Sequence, residues 1–420
     1  MASSDMPAEN DVLRTVDGTP LKAALANASR RARIRAFILV LPLLIFILLT
    51  FAVPIGQMLS RSFTDDKFSA NMVELGKWFD ANGKAAPDEA AYAALAADLA
   101  TASKERSAGN VGTRINYELP GTRSLFTSAA RKADKLEAPF KEAILALDPQ
   151  WARPDLWAAM RSASAAATLN FYQAALDRQI GADGNFEAAP ENVQIYVKLF
   201  IRTFVMSVVI TGLCLILGFP IAHLLAVLPL RHASLLMILV LLPFWTSLLV
   251  RTTSWMVLLQ SQGVINDVLV ALGIVGDDGR LAMMYNQTGT IIAMTHILLP
   301  FMILPLYSVM KTIPPAYARA ARSLGATSWT TFRRIYLPQT VSGIGAGGIL
   351  CFILAVGYYI TPALVGGADG TLISNQIAFH MQKSLNWSLA AALAAMLLAA
   401  VLILYWAYDR IIGIDNMKLG

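Results

Sequence analysis

The chain has 420 residues, of which 56% are hydrophobic and only 15% charged. A soluble domain carries about a quarter charged residues, so this is the composition of a membrane protein. The formal charge of +6 does not point to nucleic acid, because the basic residues stand beside apolar spans, as the positive-inside rule requires. The two cysteines, Cys214 and Cys351, both lie in apolar segments and imply neither a disulfide framework nor a metal site.

Residues 1–35 are polar and end in Arg30, Arg31, Arg33 and Arg35, which reads as a cytoplasmic tail. Ala36 to about Leu59 is apolar over more than the roughly 20 residues that span a bilayer. It is followed by Arg61 and Asp65-Asp66 rather than by a small-residue cleavage site, so the reading is an uncleaved first transmembrane helix over 36–60.

Residues 61–196 change character. They hold 15 Lys/Arg against 18 Asp/Glu and are therefore net acidic, which fits a periplasmic placement after an outward-going helix. Alanine-rich stretches near 90–100 and 140–147 carry helical spacing, and Asp148-Pro149, Trp151, Pro154 and Trp157 mark a turn with aromatic anchors. The segment is long enough to form a mainly helical insert with its own core. Its expected role is either a platform that seats a soluble receptor or a plain spacer.

Five more spans are expected, over about 197–226, 234–259, 288–310, 339–365 and 387–412. These form a five-helix core at 197–412 and leave a short C-terminal tail at 413–420. Six helices put both termini in the cytoplasm. The loops at Leu230-Arg231-His232 and at 311–338 are then cytoplasmic and carry positive charge without acidic residues, while the outer loop at 260–287 holds Asp267, Asp277 and Asp278.

The 311–338 loop carries Lys311, Arg319, Arg322, Arg333 and Arg334 and has no acidic residue. Physically it reads as helix–turn–helix. Pro314 and Pro315 suit a helix entry, where a missing N–H costs little. Gly325 is placed to end the first helix in the left-handed conformation. Thr327 or Ser328 can cap the second helix, which Pro338 is expected to close at the membrane. The alternative is an ordinary amphipathic loop between two spans.

The spacing Ala320-Ala321, then Gly325, then Ile335-x-Leu337-Pro338 resembles the EAA signature of type I ABC importer permeases. Arg319 stands where that family usually has glutamate. The runs Leu242-Pro243-Phe244-Trp245, Val250-Arg251, Trp255 and Gly263-Val-Ile-Asn266 are similar to those of the spermidine/putrescine branch. So is Leu299-Pro300-Phe301 through Leu304-Pro305-Leu306-Tyr307. The resemblance covers the first helix and the chain from about 197 onward. It implies an all-α fold of six transmembrane helices, with the external insert outside the match. It further implies that Arg319, Ala320, Ala321, Gly325, Ile335, Leu337 and Pro338 couple to a cytoplasmic ABC ATPase dimer, which binds ATP and Mg. A periplasmic substrate-binding protein and a second permease subunit, in a heterodimer, complete the implied assembly in the inner membrane.

Residue by residue, catalysis is poorly supported. The histidines at 223, 232, 296 and 380 are scattered, and no glycine-rich phosphate loop appears, so the chain itself has no site for cofactor or metal. Arg251 is expensive inside a span unless it faces water, a partner or the outer interface near Trp255. Trp245, Arg251, Trp255, Gly343, Gly347, Tyr358 and Tyr359 are candidates for the translocation path or a subunit interface. Gly343 and Gly347, four apart, suit close helix approach, either to a second subunit or within the chain. The expected function is a non-catalytic permease of a binding-protein-dependent importer, with a polyamine as substrate. The alternatives are an opine, an amino-acid derivative or an organophosphonate, and in other classes a secondary transporter or a membrane enzyme.

Overall fold

The computed structural model describes residues 21–412 apart from Ala166 and Ala182. The expected C-terminal tail at 413–420 and the first 20 residues of the expected N-terminal tail lie outside the described residues. The chain divides into two units, Met1–Ser60 and Arg61–Gly420.

Over its described residues the first unit is one long helix. α1 (Leu21–Ile47) passes through a π-helical turn (Leu48–Ala52) into α2 (Val53–Arg61). It begins well before the expected Ala36, because Leu21-Lys-Ala-Ala-Leu-Ala and the arginines that follow are good helix formers. The π turn ends just before Pro54, which has no N–H for the helix ladder and crowds the carbonyl one turn back.

The insert opens the second unit with α3 (Val73–Asn82), α4 (Glu89–Lys104), α5 (Ala108–Asn116), α6 (Arg123–Ala130), α7 (Phe140–Leu147), α8 (Pro154–Ser164) and α9 (Asn170–Ala175). A short antiparallel hairpin follows, β1 (Arg178–Ile180) and β2 (Phe186–Ala188), with Gln179 opposite Glu187. The pattern of this polar hairpin was not legible as strand. The insert has its own core, in which Phe68, Leu75, Tyr92, Leu95, Leu99, Ile115, Phe126, Trp151 and Trp157 are buried. The two tryptophans are the anchors expected of the turn. Trp157 Nε1 donates to the Trp151 carbonyl at 2.8 Å, and its ring meets Tyr92 edge-on at 5.0 Å. Carboxylates close the helix ends: Asp88 caps α4 through Ala91 N, and Asp98 accepts from Leu75 N at 2.8 Å.

The remaining helices are α10 (Tyr196–Val227), α11 (Leu230–Trp245), α12 (Leu248–Leu259), α13 (Val264–Ala271), α14 (Gln287–Thr312), α15 (Pro315–Ser323), α16 (Ser328–Thr331), α17 (Leu337–Gly357), α18 (Ile360–Val365), α19 (Ile373–Gln382) and α20 (Trp387–Ile412). Among the described residues five helices are long and apolar enough to cross a membrane, and one bent pair brings the number to six. α10, α14 and α17 pack into the central core, with Ile210, Cys214, Leu298, Met302, Leu306 and Cys351 buried between them. The cysteines are small buried residues there, each S–H directed at a backbone carbonyl.

The insert is seated on these helices. Phe171 and Ala175 of α9 pack against Leu199, Ile373, Leu389 and Leu393. Asp177, the last acidic residue before the hairpin, accepts from the backbone N–H groups of Ile195, Tyr196 and Val197 and so caps α10.

Two expected spans and one expected helix end differ from the structure. The third, expected unbroken over 234–259, is the bent pair: α11 stops at Trp245, and the segment from Leu248 leaves it at 98°. Pro243 removes one helical donor, Thr246 bonds back to the Pro243 carbonyl, and Ser247 caps α12 through Val250 N. The fifth, expected over 339–365, ends at Gly357. Tyr358 is extended, and α18 starts anew after it. Pro338, finally, does not close a helix. α16, a π turn (Phe332–Tyr336) and α17 run on through it as one 30-residue rod. As at Pro54, the π turn takes up the missing donor, and Gln339 Nε2 satisfies the Ile335 carbonyl at 2.7 Å.

Candidate functional site

α15 and α16 form the helix–turn–helix expected of the 311–338 loop. Pro315 stands in the first turn of α15, behind an extended Pro314. Gly325 has φ +84°. Its N–H donates to the Arg322 carbonyl at 2.9 Å and that of Ala326 to the Ala321 carbonyl at 3.0 Å, the paired bonds of a Schellman ending. Thr327, rather than Ser328, is the cap of α16, accepting from Thr330 N at 3.2 Å.

This turn presents large apolar side chains to the outside: Leu324 is 88% exposed, Trp329 68% and Tyr317 52%. Arg319, Arg322, Arg333 and Arg334 surround them, all exposed, and no ion pair among the described residues engages them or Lys311. Ala320 is exposed and Ala321 half-buried, which leaves the ridge of α15 low. Ile335, Leu337 and Pro338 lie at the π turn, one step further along the same rod.

From Trp329 an aromatic column leads inward. Its ring stacks on Phe332 at 5.7 Å, and Phe332 lies 6.2 Å from Tyr336. Phe332 also meets Phe219 edge-on at 5.9 Å, and the Tyr336 hydroxyl pairs with His223 Nδ1 at 2.9 Å, so the column leans on α10. These residues were missed in the sequence, although Trp329, Phe332 and Tyr336 stand three and four apart, the spacing of one helical face.

The other candidates do not converge on one site. Arg251 turns back onto the break in the third span, where Nη2 donates to the carbonyls of Pro243 and, at 3.1 Å, Thr246. Its guanidinium thus closes the open end of α11. Trp245, beside the break, is 73% exposed. Trp255 donates from Nε1 to His296 Nδ1 of α14 at 3.1 Å. The backbone carbonyls of Tyr358 and Tyr359 accept from Ser374 Oγ at 2.6 Å and Asn375 Nδ2 at 2.8 Å, which ties the end of α17 to α19.

Gly343 and Gly347 are spent within the chain. A Cβ on Gly343 would stand 3.2 Å from the Leu306 Cα, and one on Gly347 2.8 Å from Met302 Sδ. Both glycines let α17 close on α14 of the same chain, the within-chain member of the two alternatives for this pair.

The apolar spans, six with the bent pair, and the exposed basic turn are those of a multi-pass membrane protein, and comparison with known proteins places it in a family of transport permeases. The model described as "Binding-protein-dependent transport system inner membrane component" matches residues 195–412, so the chain belongs to that family. It is a multi-pass inner-membrane subunit of an ABC importer and not an enzyme, ATP hydrolysis lying in a separate subunit.

Among individual proteins it is similar to the spermidine/putrescine transport system permease protein PotB of Escherichia coli (strain K12), 35% identical over 222 residues that cover 52% of this chain and 80% of the relative. PotB of Haemophilus influenzae (strain ATCC 51907 / DSM 11121 / KW20 / Rd) is 34% identical over 243 residues, 56% of this chain and 84% of the relative. The Escherichia coli (strain K12) inner membrane ABC transporter permease protein YdcU is 33% identical over 230 residues, 51% and 71% of the two chains. Among solved structures, a bacterial ABC transporter involved in the import of the acidic polysaccharide alginate aligns over 53% of this chain and 80% of that one, with 20% identity and a TM-score of 0.43. The insert and the first helix precede the family match. The first helix had been expected to fall inside it.

Proposed function

We propose that this permease carries polyamines of the spermidine/putrescine class across the inner membrane, and that its 311–338 turn is the coupling element seated on the ATPase. The observation that carries the coupling reading is the exposure of Leu324, Trp329 and Tyr317 on a turn closed by the backbone bonds of Gly325 and Ala326 and the Thr327 cap. A fixed shape with an apolar tip is what a partner's cleft needs. Arg319, Ala320, Ala321 and Gly325 form the docking surface, and Ile335, Leu337 and Pro338 join it to the fifth span. Closure of two ATPases around ATP and Mg would push on Trp329 and, through Phe332 and Tyr336, on α10.

The substrate reading rests on the names of the relatives, and Arg251 no longer stands against it. A bare cation in the path would repel a polycation, but this one is turned onto carbonyls. In the full assembly a second, distinct permease pairs with this one. Both termini are cytoplasmic, and the insert at 61–196 faces the periplasm as a seat for the loaded binding protein.

The test is ATPase activity of the complex purified through this subunit, with receptor that is empty, loaded with spermidine or putrescine, or loaded with an opine or an organophosphonate. Stimulation by polyamine-loaded receptor is the expected result. Stimulation only by the other ligands would discard the polyamine, and failure of any ATPase to co-purify would discard the coupling element.

A further inference from the structure

Against α15, lined by Tyr317, Arg319 and Arg322 but not by Leu324 or Trp329, lies a cavity of about 530 Å³. Its apolar wall comes from the ends of two spans, Ala226 and Val227 of α10 and Met310 of α14. Its polar wall holds Lys311, Arg319 and Arg322, with the Tyr336 hydroxyl. Among the described residues no Asp or Glu lines it, and the 311–338 loop contains none. Lys311 is held in place by the Ala226 carbonyl, to which Nζ donates at 3.2 Å. Three cations around one small space repel each other unless an anion enters.

We propose that this cavity binds the phosphate headgroup of an anionic phospholipid from the leaflet that the loop faces. Guanidinium groups match phosphate oxygens in a fork geometry, and the Lys311 ammonium adds a point charge. The volume falls in the range of small-ligand sites. Its position at the ends of α10 and α14 is headgroup depth, and the apolar wall suits the glycerol and first methylenes. An acidic side chain of the ATPase is the rival occupant. The geometry favours the lipid, because the cavity opens against Ala226, Val227 and Met310 at the ends of two spans, and of the exposed tip only Tyr317 reaches it. Tyr317 and Arg319 belong to both the docking face and the cavity, whereas Leu324 and Trp329 belong to the docking face alone and Lys311 and Arg322 to the cavity. Arg333 and Arg334 lie on the same loop but also outside the cavity, which supplies an internal control.

The experiment is native mass spectrometry of the intact complex released from nanodiscs of phosphatidylcholine with a minor share of phosphatidylglycerol. Wild type is expected to retain phosphatidylglycerol selectively. Arg319→Gln and Arg322→Gln singly should each lower retention about fivefold, and both with Lys311→Gln should abolish it, whereas Arg333→Gln/Arg334→Gln should leave it unchanged. Retention unaffected by the triple change, or lost equally in the Arg333/Arg334 control, would overturn the site. Displacement of the lipid by inorganic phosphate alone would show a free-anion site instead. Binding seen only after the ATPase is stripped away would assign the cavity to an acidic segment of that partner. None of these readouts uses ATP turnover, so the docking reading stands or falls separately.

Discussion

The insert and the 311–338 turn are both helical excursions from the membrane core, yet they treat the same residue types in opposite ways. The insert buries its large aromatics: Trp151 is wholly buried and Trp157 2% exposed. It also pairs charges internally, as Arg153 does with Asp155 at 2.5 Å and Arg114 with Glu118 at 2.7 Å. The turn exposes Trp329 and Leu324, and among the described residues no carboxylate pairs with any of its cations. One region is complete in itself; the other is shaped for what will cover it. Apolar exposure beside a rigid turn identifies function better here than any titratable cluster does.

The largest test of this contrast is a matched pair of tryptophan truncations. Trp157→Ala removes a side chain packed edge-on against Tyr92, Phe79 and Trp78 together with its bond to the Trp151 carbonyl. A loss of about 3–5 kcal/mol is expected, enough to unfold the insert and expose it to protease while the spans stay inserted. Trp329→Ala should change stability by less than about 0.5 kcal/mol, as surface substitutions do, yet should reduce ATPase recovery in co-purification. If the two variants were equally protease-resistant and equally able to hold the ATPase, the contrast would be false.

A smaller structural effect with a sharp functional readout comes at Gly325. Proline holds φ near −65° and carries no N–H, whereas this position has φ +84° and donates to Arg322. Gly325→Pro should disorder the turn without touching any span. Uptake should fall to background while receptor-independent ATP hydrolysis persists at the partner. Wild-type uptake by this variant would break the coupling assignment.

Much of this was legible because local chemistry and global role agree. Gly325, Pro315 and Thr327 each act on the backbone within a few residues, so their type and spacing predict the turn directly. The same logic located the spans, since a bilayer sets their length. What escaped were effects that depend on partners far along the chain. Arg251 looked like a charge in search of solvent, and only the 98° break brings the Pro243 and Thr246 carbonyls to it. Gly343 and Gly347 announced a close approach but not which helix approaches. Pro338 reads as a stop, yet a π turn carries the helix through it, as at Pro54. Asp177 resembled any other acid in a polar loop before it was seen to cap α10.

The seam between insert and membrane helices is where the contrast should be least absolute, and it has its own handle. His380 of α19 is buried, with Nε2 paired to the Tyr196 hydroxyl at 2.8 Å and Nδ1 to Ser384 Oγ at 2.8 Å. Three residues beyond Ser384 α20 begins, and the carbonyl of Leu385, a residue with φ +55°, accepts from the Tyr117 hydroxyl of the insert at 3.0 Å. Burial pushes the His380 imidazole below its ordinary value of 6.5. The closed seam therefore binds fewer protons than the opened one, and its stability must rise with pH. The contribution is complete above about pH 6.5 and is lost as pH falls through the lower value of the closed state. Amide exchange over 383–388, corrected for intrinsic rates, should accordingly show more opening at about pH 5.5 than at about pH 7.5. His380→Gln, which keeps a polar group but cannot take the proton, should flatten that dependence. Equal pH sensitivity in the variant would remove His380 from the seam and leave the insert as self-contained at its base as it is in its core.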